Sequence, residues 1–255
     1  MKRLFYFILT VLAVSSCGVN CKQGENDKIV IGLSHSGIPQ ATEDCFRKAV
    51  TDAGAEIVVF PMYALDDVEA EELVSGVDAV IIPGKGKLDT TGRGKCDHRI
   101  IKAAINAGKP VLGICQGHQN INSFFGGKTQ KIAAIYPETA IQHKILDENG
   151  KNLGADMEAH PIIIDRCSRL YKILGNRDTV MVNTSHYYCT GIVSDSVKVV
   201  AKAPDGVVEA FEYGKNVLGV QFHPEYLYSR VGIKEFLPIF QNLINEASIA
   251  KRKKK

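Results

Sequence analysis

The chain has 255 residues, 45% hydrophobic and 23% charged, with 23 glycines, which is ordinary for a soluble globular protein and excludes a disordered or fibrous one. That length buries a substantial core, so folding needs no metal or disulfide staple. The formal net charge of +3 comes from one end: Lys251 to Lys255 are five basic residues and the rest sums to 3 − 5 = −2, so nucleic-acid binding has no support.

Lys2 and Arg3 precede an apolar run of eleven residues, Leu4 to Val14, against the roughly 20 that a membrane-spanning helix requires. A basic start, a short apolar run and small residues after it describe a secretory signal over residues 1–17. Val14-Ser15-Ser16-Cys17 resembles the lipobox of bacterial lipoproteins, and that resemblance implies cleavage before Cys17, which then carries lipid. The expected location is the cell envelope of a bacterium, with a membrane anchor that does not span the bilayer. A plain secretory peptide, or an apolar N-terminal helix on a cytoplasmic protein, is the alternative. Residues 18–27 read as a polar tether, 28–249 as one domain and 250–255 as a basic tail, either solvated or touching anionic lipid.

In the domain, apolar runs alternate with amphipathic ones. Strands are predicted at Lys28–Leu33, Glu56–Phe60, Val77–Pro83 and Pro110–Ile114, with helices at Thr42–Ala53, Asp66–Ser75 and His98–Ala107. Continuous apolar strands joined by helices indicate an α/β fold with a mainly parallel sheet covered on both faces. Residues 128–154 lose this regularity and read as an insertion or an extended surface segment. Strands then follow at His160–Asp165, Val180–Asn183, Val197–Ala203, Val207–Tyr213 and Val217–Phe222. Pro204-Asp205-Gly206 reads as a hairpin turn, and an amphipathic helix closes the domain over Gly232–Ala247.

The strand Pro110–Ile114 runs straight into Gly113-Ile114-Cys115-Gln116-Gly117. Glycine two residues before and two after a nucleophile is the nucleophile-elbow pattern, with Cys in place of Ser. The sharp turn presents the sulfur at the carboxyl end of the sheet, where open α/β folds bind ligands, and at a helix N-terminus that favours thiolate. A buried core cysteine between glycines is the plainer reading. A second apolar strand delivers Gly219-Val220-Gln221-Phe222-His223-Pro224-Glu225. There His223 can move the thiol proton and Glu225 can orient and stabilise the imidazole, completing a catalytic triad with Cys115.

PVLGICQGHQNINSFFGG (110–127) with GVQFHPE (219–225) resembles the class I glutamine amidotransferase superfamily, whose flavodoxin-like fold the resemblance implies. VIIPGKGKLD (80–89) sits where that superfamily carries its oxyanion strand, which implies oxyanion donors on the backbone of Gly84, Lys85 and Gln116; the superfamily usually has Gly at the position of Lys85. HPIIID…SRLYKILG, VNTSHYY and APDGVVEA are similar to the γ-glutamyl-γ-aminobutyrate hydrolase branch. The resemblance implies a small γ-glutamyl substrate and gives Gln119, Ser185 and His186 as substrate-binding candidates. His186 equally suits a loop role, and His118 a structural one. Gly117-His118-Gln119 is closer to the amidotransferase domains of nucleotide-synthesising enzymes.

Three functions follow as expectations. The first is a cysteine-dependent hydrolase cutting γ-glutamyl amide bonds through a thioester on Cys115. The second is a glutaminase subunit supplying ammonia to a synthetase; no synthetase domain is evident, and export would separate it from a cytoplasmic one. The third is a non-catalytic binding lipoprotein. No cofactor or metal is expected: beyond Cys17 and Cys115, the other five of the seven cysteines show no paired short spacing that would suggest zinc.

Overall fold

The computed structural model describes residues 28–34, 37–61, 66–84 and 90–253, without the side chains of residues 90 and 91. The expected signal with Cys17, the expected tether and Lys85 lie outside the described residues. In chain order the strands are β1 (Val30–Leu33), β2 (Glu56–Val59), β3 (Ala79–Ile82), β4 (Val111–Ile114), β5 (Lys128–Lys131), β6 (His160–Ile164), β7 (Thr179–Val182), β8 (Tyr188–Ile192), β9 (Lys198–Lys202), β10 (Val208–Tyr213) and β11 (Val217–Val220). Nine of those described form one sheet, in the order β2-β1-β3-β4-β11-β10-β9-β6-β7. From β2 to β11 every pairing is parallel, and beyond β11 every pairing is antiparallel. Each of the four antiparallel steps reverses direction, so β9 and β7 run with the parallel set and only β10 and β6 run against it. The sheet is therefore mixed and mostly parallel, as the apolar runs predict, and β9–β10 is the hairpin expected at Asp205-Gly206.

Alternation along each strand divides the core in two. Ala79 and Ile81 of β3, with Leu112 and Ile114 of β4, face α1 (Gln40–Asp52) and α8 (Leu237–Arg252), meeting Phe46, Phe240 and Leu243. Val80 and Ile82, with Val111, face α2 (Asp67–Ser75), α3 (Thr90–Asn106) and α4 (Gln116–Phe124), meeting Val74, Ile101 and Ile121. Asp66 caps α2 by accepting from the Glu69 backbone at 2.9 Å, while Glu69 accepts from that of Asp66 at 3.1 Å.

The structure departs from the predicted elements in four places. Helix α3 starts at Thr90, eight residues before His98, despite Gly92 and Gly94; tertiary contacts of Arg93 override the poor local propensity. The irregular middle contains β5 and α5 (Ile132–Ile135), and β5 pairs with the unpredicted β8 in a second, two-stranded sheet. Short helices α6 (Arg169–Ile173) and α7 (Pro224–Tyr226) were likewise unmarked by periodicity. The closing helix begins later and runs further than expected, to Arg252, and Lys251 donates to Asp78 Oδ2 and to the Lys28 carbonyl, each at 3.0 Å. That part of the basic run is helical and held to the sheet, not a loose tail.

Candidate active site

Only Cys115 separates β4 from α4, and its φ of 52° and ψ of −104° belong to a region that side chains rarely occupy, at a cost of about 1–3 kcal/mol. The glycines around it are required by close approach. A β-carbon on Gly113 would overlap the Ile121 side chain and the backbone of Gly117, and one on Gly117 would overlap the Ile82 carbonyl. The elbow thus packs two backbones against each other and leaves the strain at the cysteine.

β11 lies beside β4 in parallel register, Val220 opposite Ile114, so His223 emerges next to Cys115. Asn183 fixes the turn: it accepts from the His223 N–H at 2.8 Å and donates to the His223 carbonyl at 3.0 Å and the Ala155 carbonyl at 2.7 Å. His223 Nδ1 sits 2.7 Å from Glu225 Oε1, and its ring lies beside Cys115 across Gly84. Tyr226 stacks on the imidazole at 4.8 Å and 15°, and the Arg230 guanidinium lies over the Tyr226 ring at 4.0 Å.

His223 and Glu225 are buried. Burial pulls the His223 pKa down, but the Glu225 carboxylate and the Cys115 sulfur outweigh it and hold it at about 10. An imidazolium therefore faces the sulfur at neutral pH, a group able to protonate a departing amine. Gly84 touches both partners: a β-carbon there would lie 2.7 Å from His223 Cε1 and 3.4 Å from Cys115 Cβ. Gln116 opens α4, where a backbone N–H has no intrahelical partner. The Gly84 turn is braced by buried Arg93, which donates to the Pro83 carbonyl, to Gln116 Oε1 at 2.9 Å and to Asp97 Oδ2 at 3.2 Å. Ser34 and Asn120 donate to the same Asp97, at 2.8 and 2.7 Å.

A cleft of about 510 Å³ opens onto Cys115 and His223, with Lys144, Lys151 and Arg230 on its walls. Burial holds the Lys144 ammonium below the ordinary lysine range, against the pull of the Cys115 sulfur. Ser185 lines this cleft and accepts from Lys144 at 3.1 Å and from Asn152 at 2.7 Å.

The other candidates sit behind it. Gln119 is buried, with its Nε2 donating to the Tyr188 carbonyl at 2.9 Å and to Gln221 at 3.0 Å. His118 is fully buried against Phe211 and Thr190, and burial drives its pKa down to about 3; it is a neutral packing residue. His186 turns away into a cluster with His143, His160 and Glu209, the group among the described residues whose geometry could hold a metal ion. Sequence reasoning missed Arg93, Asn183, Lys144, Tyr226 and Arg230. Asn183 stands inside the VNTSHYY segment, whereas nothing around Arg93 advertises it.

The mostly parallel sheet, the strained cysteine elbow and the His–Glu pair on the neighbouring strand define a cysteine hydrolase of the class I glutamine amidotransferase type. The chain belongs to the Peptidase C26 family, whose sequence profile matches residues 18–225. It is 28% identical to a Lactococcus lactis protein assigned as glutamine amidotransferase-like, YvdE, over 79% of this chain and 88% of that one. It is 25% identical to the γ-glutamyl-γ-aminobutyrate hydrolase PuuD of Escherichia coli, over 81% and 89% of the two chains. A Thermoplasma acidophilum crystal structure, assigned as a GMP synthase subunit, shares the fold with a TM-score of 0.66 at 17% identity, covering 91% of this chain and 100% of that one. The family match and the similarity to PuuD make the protein a C–N hydrolase with a cysteine nucleophile. Among the described residues no helix is long and apolar enough to cross a membrane.

Proposed function

We propose that the protein hydrolyses γ-glutamyl amide bonds with Cys115 as nucleophile, His223 as acid–base and Glu225 as its partner. The observation that carries this reading is the buried His223, paired with Glu225 at 2.7 Å and set beside a cysteine held at positive φ. The Cys115 thiolate attacks the γ-carbonyl carbon, and the resulting oxyanion is met by backbone N–H groups near Gly84 and at Gln116, with Lys85 extending the same turn. The tetrahedral intermediate collapses, the C–N bond breaks, and His223 gives its proton to the amine. A water then loses a proton to His223 and attacks the thioester, releasing glutamate and restoring the thiolate.

The cationic cleft wall supports an anionic substrate: Lys144 and Arg230 suit the α-carboxylate of a glutamyl group. In this reading Ser185 positions Lys144, while Gln119 and His186 support the pocket from behind. The similarity to PuuD points the same way for the γ-glutamyl part. The test is release of glutamate from glutamine and from a panel of γ-glutamyl amides by the purified protein and by Cys115→Ala. Turnover restricted to glutamine and stimulated by a synthetase would favour an amidotransferase subunit instead.

The same reading puts the enzyme in a bacterial envelope, tethered through lipid on Cys17. Its support is the basic start, the short apolar run and Val14-Ser15-Ser16-Cys17, together with a family match that begins at residue 18. Fatty-acid labelling that is lost in Cys17→Ala is expected; unlabelled, unprocessed wild-type protein would refute the anchor.

A further inference from the structure

Four buried side chains converge behind the cleft from four separate segments: His143 ahead of β6, His160 at its start, His186 between β7 and β8, and Glu209 in β10. Each is at most 5% exposed, and one ligand atom from each lies within 4.8 Å of all the others. Glu209 Oε1 is 3.6 Å from His143 Nδ1, 3.8 Å from His160 Nε2 and 3.7 Å from His186 Nε2. These separations are too long for hydrogen bonds. Accordingly, none of the three nitrogens and neither Glu209 oxygen has a hydrogen-bond partner.

The opposite nitrogen of each ring is engaged. His143 Nε2 meets Asp205 Oδ2 at 2.9 Å, His186 Nδ1 meets the Tyr188 carbonyl at 3.0 Å, and His160 Nδ1 meets the Pro161 carbonyl at 3.2 Å. Carbonyl and carboxylate oxygens only accept, so those outer nitrogens carry the protons. The inner nitrogens are then three bare lone pairs aimed at one carboxylate oxygen. A proton on Glu209 could bridge one of them and would leave two facing each other unsatisfied, which buried polar atoms seldom are. Outward N–H donation to a carboxylate or carbonyl is instead the arrangement that orients histidine as a metal ligand.

We propose that His143, His160, His186 and Glu209 bind one divalent transition-metal ion, with zinc as the ion whose chemistry fits. Bonds of 2.0–2.1 Å in a tetrahedron put ligand atoms about 3.4 Å apart, so closure asks for shifts of a few tenths of an ångström between Glu209 and each histidine and of at most about 1.4 Å between the histidine nitrogens, which lie within 4.8 Å of one another. Glu209 and the outer-lying Asp205 offset the double charge. All four positions are filled by protein, which makes the site structural. A second cavity, of about 560 Å³, is lined by His143 and His186 and gives the ion a route in. His143 adjoins Lys144, and His186 adjoins Ser185, the two hydrogen-bonded residues of the cleft wall. The ion therefore clamps that wall to β6 and β10. The inference does not depend on which amide is cut.

The test is metal content and thermal unfolding of the full chain, stripped with chelator and titrated with zinc alone. The expected result is one tightly bound zinc per chain and a rise in melting temperature of roughly 5–10 °C at a hundredfold excess over Kd. Glu209→Gln and His160→Gln should lose both effects, and Cys115→Ala should keep them. If the variants do not fold, the wild-type stoichiometry and X-ray absorption showing three nitrogens and one oxygen decide the matter. The proposal is overturned if stripped wild-type protein takes up no stoichiometric zinc and shows no thermal shift. It is overturned equally if binding survives in both cluster variants or disappears in Cys115→Ala.

Discussion

The backbone N–H of Cys115 donates to the Val220 carbonyl at 2.8 Å. That one bond ties the elbow after β4 to the strand that delivers His223, so Cys115 and His223, the proposed nucleophile and base, are registered by the sheet itself. Loops do little of this work; sites built on rigid elements hold their geometry best.

Strain at Cys115 should show in stability. At ordinary positions alanine is the more stable choice, but positive φ reverses that order. Cys115→Gly is expected to be more stable than Cys115→Ala by about 1 kcal/mol, read by urea unfolding, with both inactive. Alanine as the more stable variant would mean that the elbow is relaxed.

The His223–Glu225 pair makes a prediction with a definite sign. His223 is held at about 10 against an ordinary 6.5. Between those values the folded protein keeps a proton that the unfolded chain has released. The pair's contribution to stability is therefore complete below pH 6.5 and is lost as pH rises through about 10. The stability gap between wild type and Glu225→Gln should narrow across that window, and NMR should show the His223 titration moving down in the variant. Activity should fall about 10²- to 10⁴-fold.

Arg93 acts through others. Arg93→Lys keeps the charge beside Asp97 and loses the fork that reaches Pro83 and Gln116. Misplacing the Gly84 turn should lower kcat by roughly 10- to 100-fold with KM nearly unchanged. A KM effect alone would assign Arg93 to binding.

Lys144→Met removes a cation from the cleft wall. KM for a γ-glutamyl amide should rise roughly 10- to 100-fold, the equivalent of a hydrogen bond to a charged group, with little change in kcat. A substrate amidated at its α-carboxyl should be indifferent to the change; equal sensitivity would place the carboxylate elsewhere.

The parallel half of the sheet and the Cys115 and His223 pair were legible because their signals are local: unbroken apolar runs in β3, β4 and β11, and glycines spaced around one cysteine. The first turns of α3 were not, because Gly92 and Gly94 argue against helix and Arg93 finds its partners in distant segments. β8 was hidden for the same reason, since Tyr188–Ile192 gains its strand character from β5, some sixty residues away in the chain. The histidine cluster escaped because its members sit in four segments, each readable alone as a loop or strand residue, and no cysteine spacing marks it. Gln119 stood out in the sequence only by resemblance, and the partners of its Nε2, the Tyr188 carbonyl and Gln221, come from distant segments.

A glutamyl thioester on Cys115 would be seen most directly by rapid-quench mass spectrometry of the protein turning over a γ-glutamyl amide. One added glutamyl acyl group is expected on the peptide that contains Cys115, removable by hydroxylamine, and absent, with turnover lost, in Cys115→Ala. Full turnover in that variant, or an adduct on a different cysteine, would contradict it.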